Sequence, residues 1–238
     1  NTTADSNTAV GHNALTANTT GTGNVAVGHN ALDANTTENY GTAIGFNVLT
    51  ANTSGTNPTA VGAYALNANT TGDYNTACGY SALELNTTGA YNTAVGHKSL
   101  EANTTANLNT GVGYLALKSN TTGSSNTALG AEALESNTTG AQCTAVGLRA
   151  LEGNTTANYN TAIGSQTLQA NTTGDLNTAI GLQALEANVS GTRNTACGVE
   201  SLQANLASNN TAFGRRALKA NTTGTTQVAV GQGALETV

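Results

Sequence analysis

The chain has 238 residues, of which 8% are charged, and its net charge is −6 at pH 7. This small negative charge offers no electrostatic footprint for nucleic acid and no basic face for an anionic membrane. No apolar run approaches the roughly 18 residues that a membrane span needs. Two Phe, no Trp, no Met and 28 Gly leave little bulky material for a core. The composition therefore argues against a nucleic-acid-binding protein, a membrane span and an ordinary globular domain.

A glycine recurs at a fixed interval and marks the phase of an internal repeat. Every step is 17 residues, except the step from Gly198 to Gly214, which is 16. A helical hairpin needs about 34 residues, whereas two short strands and two turns fit one coil of a β-solenoid. The consensus N-T-A-V-G-x-x-A-L-x-A-N-T-T-G-x-x predicts an all-β fold, a parallel β-solenoid of about 14 coils of 17 residues, in which residues 1–238 form a single repeat array.

The tripeptide T-A-V opens the coil, and we predict a strand there because Thr and Val favour the pleated conformation. Alternate strand residues share a face, so we place the Thr and Val columns, such as Thr93 and Val95, toward the core. The Ala column between them then faces outward. Since it never holds a large or charged residue, we expect it to press against another chain, although a tight bend would give the same pattern. This candidate inter-chain face comprises Ala9, Ala26, Ala43, Ala60, Ala77, Ala94, Ala128, Ala145, Ala162, Ala179, Ala196, Ala212 and Ala229.

The columns after the strand differ sharply in variability. The position after the marker glycine varies and includes His12, His29 and His97, so it is predicted to face solvent. No acidic or Cys column accompanies these histidines, and no metal site is expected. The Leu column that follows is unbroken from Leu15 to Leu235. A position that accepts only Leu in every copy is predicted to be core.

The segment N-T-T-G closes the coil and repeats the glycosylation sequon N-x-S/T in phase. One interpretation is an asparagine ladder, in which stacked amides hydrogen-bond along the solenoid. The other is a rod sheathed in glycan, which would replace the missing surface charge. Asn205 favours the ladder, because the Asn is kept there and the sequon is lost. The candidate residues are Asn1, Asn18, Asn35, Asn52, Asn69, Asn86, Asn103, Asn120, Asn137, Asn154, Asn171, Asn188 and Asn221.

Catalytic chemistry has little support in the sequence. No nucleophile motif, phosphate-binding loop or dinucleotide fingerprint occurs, so no catalytic residue and no cofactor is predicted. Cys78 and Cys197 share the Val column and are interpreted as small apolar core residues, and with Cys143 they form no disulfide framework. The regular Thr columns raise ice binding as an alternative, which the inward placement of the strand Thr disfavours.

The segment N-T-A-V-G-x-x-A-L, as in residues 7–15 and 92–100, resembles the head repeats of trimeric autotransporter adhesins. It is equally similar to the N-T-A-V-G / N-T-T-G repeats of phage tail-fibre and bacterial surface-fibre proteins. The resemblance covers the whole chain and implies a left-handed parallel β-roll, often a homotrimer, that acts as a surface fibre or adhesin. The repeats here are longer than those of the adhesins, and no coiled-coil stalk accompanies them.

We therefore expect a non-enzymatic structural fibre or fibre segment, located outside the cell or on a cell or virion surface. The alternative is an adhesin or tail-fibre shaft that binds a cell-surface receptor or glycan. The expected partner is the chain itself, laterally or head to tail, with a trimer among the arrangements. Head-to-tail stacking is expected because Val238 followed by a second Asn1 would nearly continue the repeat, although a fragment of a longer fibre would show the same ends.

Overall fold

The computed structural model describes residues 4–237, which divide into two compact units at the boundary between Thr122 and Gly123; unit 1 precedes this boundary and unit 2 follows it. Each unit is a parallel β-solenoid with one three-residue strand in each coil, so the predicted all-β solenoid is confirmed. Its handedness stays a prediction. Unit 1 contains β1 (Thr8–Val10), β2 (Val25–Val27), β3 (Thr42–Ile44), β4 (Thr59–Val61), β5 (Thr76–Cys78), β6 (Thr93–Val95) and β7 (Thr110–Val112). Unit 2 contains β8 (Thr127–Leu129), β9 (Thr144–Val146), β10 (Thr161–Ile163), β11 (Thr178–Ile180), β12 (Thr195–Cys197), β13 (Thr211–Phe213) and β14 (Val228–Val230).

Within each unit, every strand pairs in parallel with the strand of the next coil. The register aligns identical consensus positions, so that Thr93 lies beside Thr110 and Val95 beside Val112. Unit 2 repeats this register, for example between Thr161 and Thr178. Each position of the repeat therefore becomes a column of stacked side chains, as the 17-residue period predicts.

The coil has one strand rather than the two that the repeat suggested. Where a second strand was expected, each Leu of the Leu column adopts a left-handed backbone conformation, with a φ of 53° at Leu100. Besides the marker glycine, two other positions in each coil also have positive φ, such as Tyr91 at 59° and Lys98 at 56°. A left-handed residue with a side chain costs roughly 1–2 kcal/mol, so the stacked neighbours must hold these corners in place.

The two faces of the strand are reversed from the prediction: the Ala side chains point inward, and the Thr and Val side chains point outward. Twelve of the thirteen candidate alanines are buried inside their own coil, and Ala9 of the first strand is exposed. An inter-chain Ala face is therefore wrong, because these methyl groups contact the interior of a single chain. The buried members are Ala26, Ala43, Ala60, Ala77, Ala94, Ala128, Ala145, Ala162, Ala179, Ala196, Ala212 and Ala229.

The interior is narrow at the strand, where no inward residue of β1 to β14 is larger than Ala. Most coils place a second buried Ala just before the Leu, and the Leu side chains fill the space between, as predicted for that column. Gly111 shows how tight the fit is, because a Cβ there would lie 2.6 Å from the Ser99 Oγ. Ser99 occupies the second Ala position and donates a hydrogen bond to the Gly111 carbonyl at 2.9 Å. The Ser99 hydroxyl thus occupies the space that the methyl group of an Ala at position 111 would need.

Backbone hydrogen bonds between coils continue at the corners as well as at the strands. The Thr76 amide donates to the Asn92 carbonyl at 2.9 Å, and the Leu83 amide donates to the Ser99 carbonyl at 3.0 Å. Each bond contributes only about 1 kcal/mol net, but the set is repeated in every coil. This explains how a chain with few bulky apolar residues holds a solenoid.

The single 16-residue coil loses its residue in the turn between Asn205 and Asn210. Asn205 donates to the Ala207 carbonyl two residues ahead, whereas its counterparts donate three residues ahead. The strand register is then restored, since Thr195 lies beside Thr211. The deletion is tolerated because the turn absorbs it before the next strand.

Candidate interaction surface

The asparagines of the N-T-T-G segment form a buried ladder in both units. In unit 1, the Asn86 Nδ2 donates to the Asn69 Oδ1 at 2.8 Å and to the carbonyl of Gly89 at 2.9 Å. In unit 2, Asn171 makes the same bonds to Asn154 and Gly174, at 3.1 and 3.0 Å. The buried members are Asn18, Asn35, Asn52, Asn69, Asn86, Asn103, Asn120, Asn137, Asn154, Asn171, Asn188, Asn205 and Asn221. Asn1 lies outside the described residues.

This ladder leaves no room for glycan on the buried amides. An N-linked sugar would replace a hydrogen on Nδ2, and both donor positions of Asn86 are occupied by protein acceptors. The sugar would also have to enter a fully buried site. The rod sheathed in glycan at these in-phase asparagines is therefore wrong for the folded coil, and the sequon recurs because the ladder needs Asn and the turn needs Thr and Gly.

A second asparagine ladder, which the sequence interpretation missed, lies just before the strand. The Asn92 Nδ2 donates to the carbonyl of Ala106 at 2.8 Å, and its Oδ1 accepts from the backbone amide of Asn109 at 3.0 Å. The signal was present in the sequence, since Asn begins most copies of N-T-A-V-G. Cys143 replaces one of these asparagines, and burial raises the pKa of its thiol to about 11.

The outer face of the strand carries the columns that were predicted to be core. Val95 is 37% exposed and Ile44 is 39% exposed, and the first strand residues, such as Thr93, lie beside them at the surface. Cys78 is also exposed, so its interpretation as a core residue is wrong, and Cys197 is half-buried. The side-chain period of a strand is two, so inward Ala forces both neighbours outward.

In unit 1, an aromatic ladder borders this face. Ring centroids of successive members lie 5.2–5.8 Å apart, and most neighbouring rings are stacked. Tyr64 joins from the adjacent column and meets Phe46 and Tyr80 edge to face. The members are His12, His29, Phe46, Tyr64, Tyr80, His97 and Tyr114. On the other border of the strand, the rings of Tyr74 and Tyr91 stack at 5.2 Å.

In unit 2, ion pairs lie one position further along the coil, in the column that holds Tyr64 and Lys98 in unit 1. The Arg149 Nε lies 2.6 Å from the Glu132 Oε2, and the Arg216 Nε lies 2.9 Å from the Glu200 Oε2. Lys219 also contacts Glu200 at 2.5 Å. The hydrogen bonds from Lys219 and then Arg216 lower the pKa of the Glu200 carboxyl. Side-chain contacts between coils beside the strand are thus mainly ion pairs in unit 2 and mainly ring contacts in unit 1, where Lys98 also pairs with Glu101.

Three glutamates of unit 2 form a cluster of the kind that can bind a cation. Oxygens of Glu132, Glu135 and Glu152 lie within 4.8 Å of one another. Arg149 already pairs with Glu132 at 2.6 Å and lies 4.0 Å from Glu152. The guanidinium thus balances the cluster, which gives it a structural explanation. The three histidines lie in the aromatic ladder, where the parallel rings of His12 and His29 are 5.2 Å apart.

No known protein family, no curated protein and no solved structure matches this chain. Among residues 4–237, no helix is long and apolar enough to cross a membrane.

Proposed function

We propose that this chain is a non-enzymatic segment of an extracellular structural fibre, which acts by self-association of its stacked coils. The observation that carries the proposal is the pair of buried asparagine ladders. In both units each coil is joined to the next at the strand, at the corners and through these amides, as at Asn86 and Asn171. A coil joined at every corner resists bending and local opening, which suits a mechanical role.

The composition of the coil supports the same proposal. The buried positions of each coil serve the stack itself, because Ala, Leu and Asn face inward and Gly forms the turns. Solenoids bury their hydrophobic material between neighbouring coils and gain stability with each repeat. A surface with few charges favours lateral packing of such rods over repulsion. A location outside the cell or on a cell or virion surface is proposed with this role, as for the fibres that the repeat resembles.

A second candidate function is a shaft that binds a cell-surface glycan or receptor. The aromatic ladder of unit 1 favours it, since Tyr80 is 47% exposed and aromatic side chains are enriched where proteins bind partners. The ring faces of Tyr80 and His97 cover one another, however, with an interplanar angle of 15°. Sugars stack on free ring faces, so this arrangement supports the structural role better.

One structural observation favours ice binding, because the Thr column of the strand faces outward rather than inward. A single Thr column alternates with Val and Ile and is bordered by aromatic rings in unit 1. We expect no thermal hysteresis, since the surface lacks a second Thr column on the strand. A measurable freezing hysteresis at micromolar protein would replace the structural proposal.

Electron microscopy of the full chain at rising concentration tests the proposal. We expect rods that assemble into longer or thicker fibres as concentration increases. Discrete particles of one chain at every concentration would contradict a fibre, and binding of those particles to a glycan array would then favour the shaft. Rods with three chains in cross-section would support a fibre with the trimeric arrangement that the resemblance implies.

A further inference from the structure

The outer surface of unit 1 contains a wide uncharged area, which we call the strand face of unit 1. It has four columns, occupied in the β6 coil by Tyr91, Thr93, Val95 and His97. Across the seven coils of this unit, none of the four columns contains Asp, Glu, Lys or Arg. The charged residues of unit 1 all lie in other columns, such as Lys98 and Glu101, which pair at 2.8 Å.

The side chains on this face are exposed and largely apolar. Ile44, Phe46, Tyr80, Tyr91 and Val95 are among the exposed large hydrophobic residues of the chain. Their backbones are fixed by the parallel ladder, and the rings are held in place by stacked and edge-to-face contacts with centroids 5.2–5.8 Å apart. The surface is therefore ordered before any partner arrives, which lowers the entropy cost of binding.

The area is large enough for a specific contact. Six coil steps of about 4.8 Å give a length of roughly 29 Å, and the strand gives a width of about 6.6 Å; the side chains of the two corner columns, Tyr91 and His97, widen the face beyond the strand, to on the order of a few hundred Å². Exposed apolar patches above a few hundred Å² mark interaction sites. A standard protein interface buries about 800 Å² on each partner, and protruding side chains add to the flat estimate.

We propose that the strand face of unit 1 is a docking surface for the same face of a second copy of this chain. Two such faces share one coil spacing, so a contact made at one coil is repeated at every coil without loss of register. Stacked sheets pack about 10 Å apart with interdigitated side chains, which the alternating Thr and Val columns allow. The absence of charge removes the desolvation cost that an acidic or basic column would add.

Unit 2 provides the internal comparison. Its equivalent columns contain Arg193 and Arg215, and both residues are exposed. In a face-to-face pairing of two copies, these guanidinium groups would be desolvated or would approach like charges. The inference therefore assigns the lateral contact to unit 1 and not to unit 2. It rests on the proposed self-association, and names the surface that performs it.

Matched glutamate substitutions test this assignment in the full chain. Ile44→Glu and Val95→Glu place a charge on the face of unit 1, and Ile163→Glu and Ile180→Glu do so on unit 2. All four side chains are third strand residues and 37–40% exposed. In sedimentation experiments we expect the unit 1 variants to weaken self-association roughly tenfold or more. The unit 2 variants should match the unmodified chain, with circular dichroism verifying that all four fold.

The native thiols give a second readout without any substitution. Cys78 lies on the strand face of unit 1 and Cys197 on the equivalent column of unit 2. Maleimide labelling of Cys78 should fall as protein concentration rises, and labelling of Cys197 should not. Equal protection of both thiols, or equal weakening by all four glutamates, would overturn the assignment. If fibres form while Cys78 stays reactive, the lateral contact does not use this surface, but the proposed fibre stands. If the chain stays monomeric and binds insoluble polysaccharide, both the lateral contact and the proposed fibre are wrong.

Discussion

In unit 1 the column after the marker glycine is a chain of aromatic rings, whereas in unit 2 the neighbouring columns hold ion pairs such as Arg216 with Glu200. The interiors of the two units are nevertheless the same, with inward Ala, left-handed Leu and two asparagine ladders. The difference shows that the repeat fixes the inside of the coil and leaves the outside free to acquire a specific surface. Substitutions of interior residues should therefore have equal effects in both units, and substitutions of outer residues should have different effects in the two units.

The largest effect is expected from adding a side chain to a marker glycine. A Cβ at Gly96 would lie 2.4 Å from the carbonyl oxygen of Gly113, and one at Gly181 would lie 2.7 Å from that of Gly198. Both have φ near 130°, a region that side chains disfavour. Gly96→Ala and Gly181→Ala should each lower the free energy of unfolding by about 2–5 kcal/mol, measured by denaturant titration.

Gly231 is the matched control for these two glycines. Its φ is 122°, but a Cβ there would meet nothing within 4 Å. Gly231→Ala should therefore cost only the backbone strain, about 1–2 kcal/mol. If all three substitutions cost the same, close contact between coils would not be the reason for the regular recurrence of these glycines.

The next largest effect is expected in the first asparagine ladder. Asn86→Ala in unit 1 and Asn171→Ala in unit 2 each remove two donated hydrogen bonds from a buried site. Each should cost about 2–4 kcal/mol, because buried acceptors lose their partners and a small cavity remains. Hydrogen exchange followed by mass spectrometry should show opening around the altered coil in both units. Glycosylated Asn86 in a folded native sample would contradict the ladder.

Burial of Cys143 predicts that unit 2 loses stability at alkaline pH. Its thiol has an ordinary pKa of 9.0, and burial raises it to about 11 in the folded chain. The unfolded thiol therefore ionises first, and stability that is complete below pH 9 is lost as the pH rises through about 11, by an amount on the order of 2 kcal/mol. Cys143→Asn, which restores the residue of the neighbouring coils, should remove this loss in denaturant titrations from pH 8 to pH 11. An unchanged pH dependence in that variant would mean that other groups cause it.

The smallest effect is expected at the outer columns. Glu200→Gln removes the negative charge shared by Arg216 and Lys219, whose side chains are 37% and 33% exposed. The loss should be small and should disappear in high salt, because exposed ion pairs are screened. Tyr80→Ser in unit 1 removes two ring contacts and should cost about 1 kcal/mol, with no dependence on salt. A salt-dependent loss in Tyr80→Ser would contradict the distinction between the two borders.

Much of the fold could be predicted from the period alone. The 17-residue spacing predicts the parallel stack, and the unbroken Leu column predicts core from Leu32 to Leu218. The asparagine ladder could be anticipated because Asn205 keeps the residue without the sequon. These inferences succeed because a column position must satisfy the same contacts in every coil.

Residue size could not show which strand side chains point toward the interior and which point toward solvent. By size, Thr93 and Val95 are typical of core residues, and Ala94 is typical of a surface packed against another chain. In the structure, the buried Leu100 side chain fills most of the interior, and the methyl group of Ala94 fills the space beside it. The width of this interior depends on the left-handed conformation of Leu100, with a φ of 53°, which no propensity for Leu suggests. The aromatic ladder was missed for a related reason, because Tyr64 belongs to a different column and joins only in three dimensions.

Cysteine accessibility along one strand of each unit tests the central claim most directly. Ala94→Cys and Val95→Cys probe unit 1, and Ala162→Cys and Ile163→Cys probe unit 2, in a chain whose Cys78 and Cys197 are replaced by Ser. With dilute native protein and a maleimide, we predict rapid labelling at positions 95 and 163 and protection at positions 94 and 162. Rapid labelling at 94 and 162 with protection at 95 and 163 would show that Ala faces outward, and would contradict both the common interior and the surface assigned to unit 1.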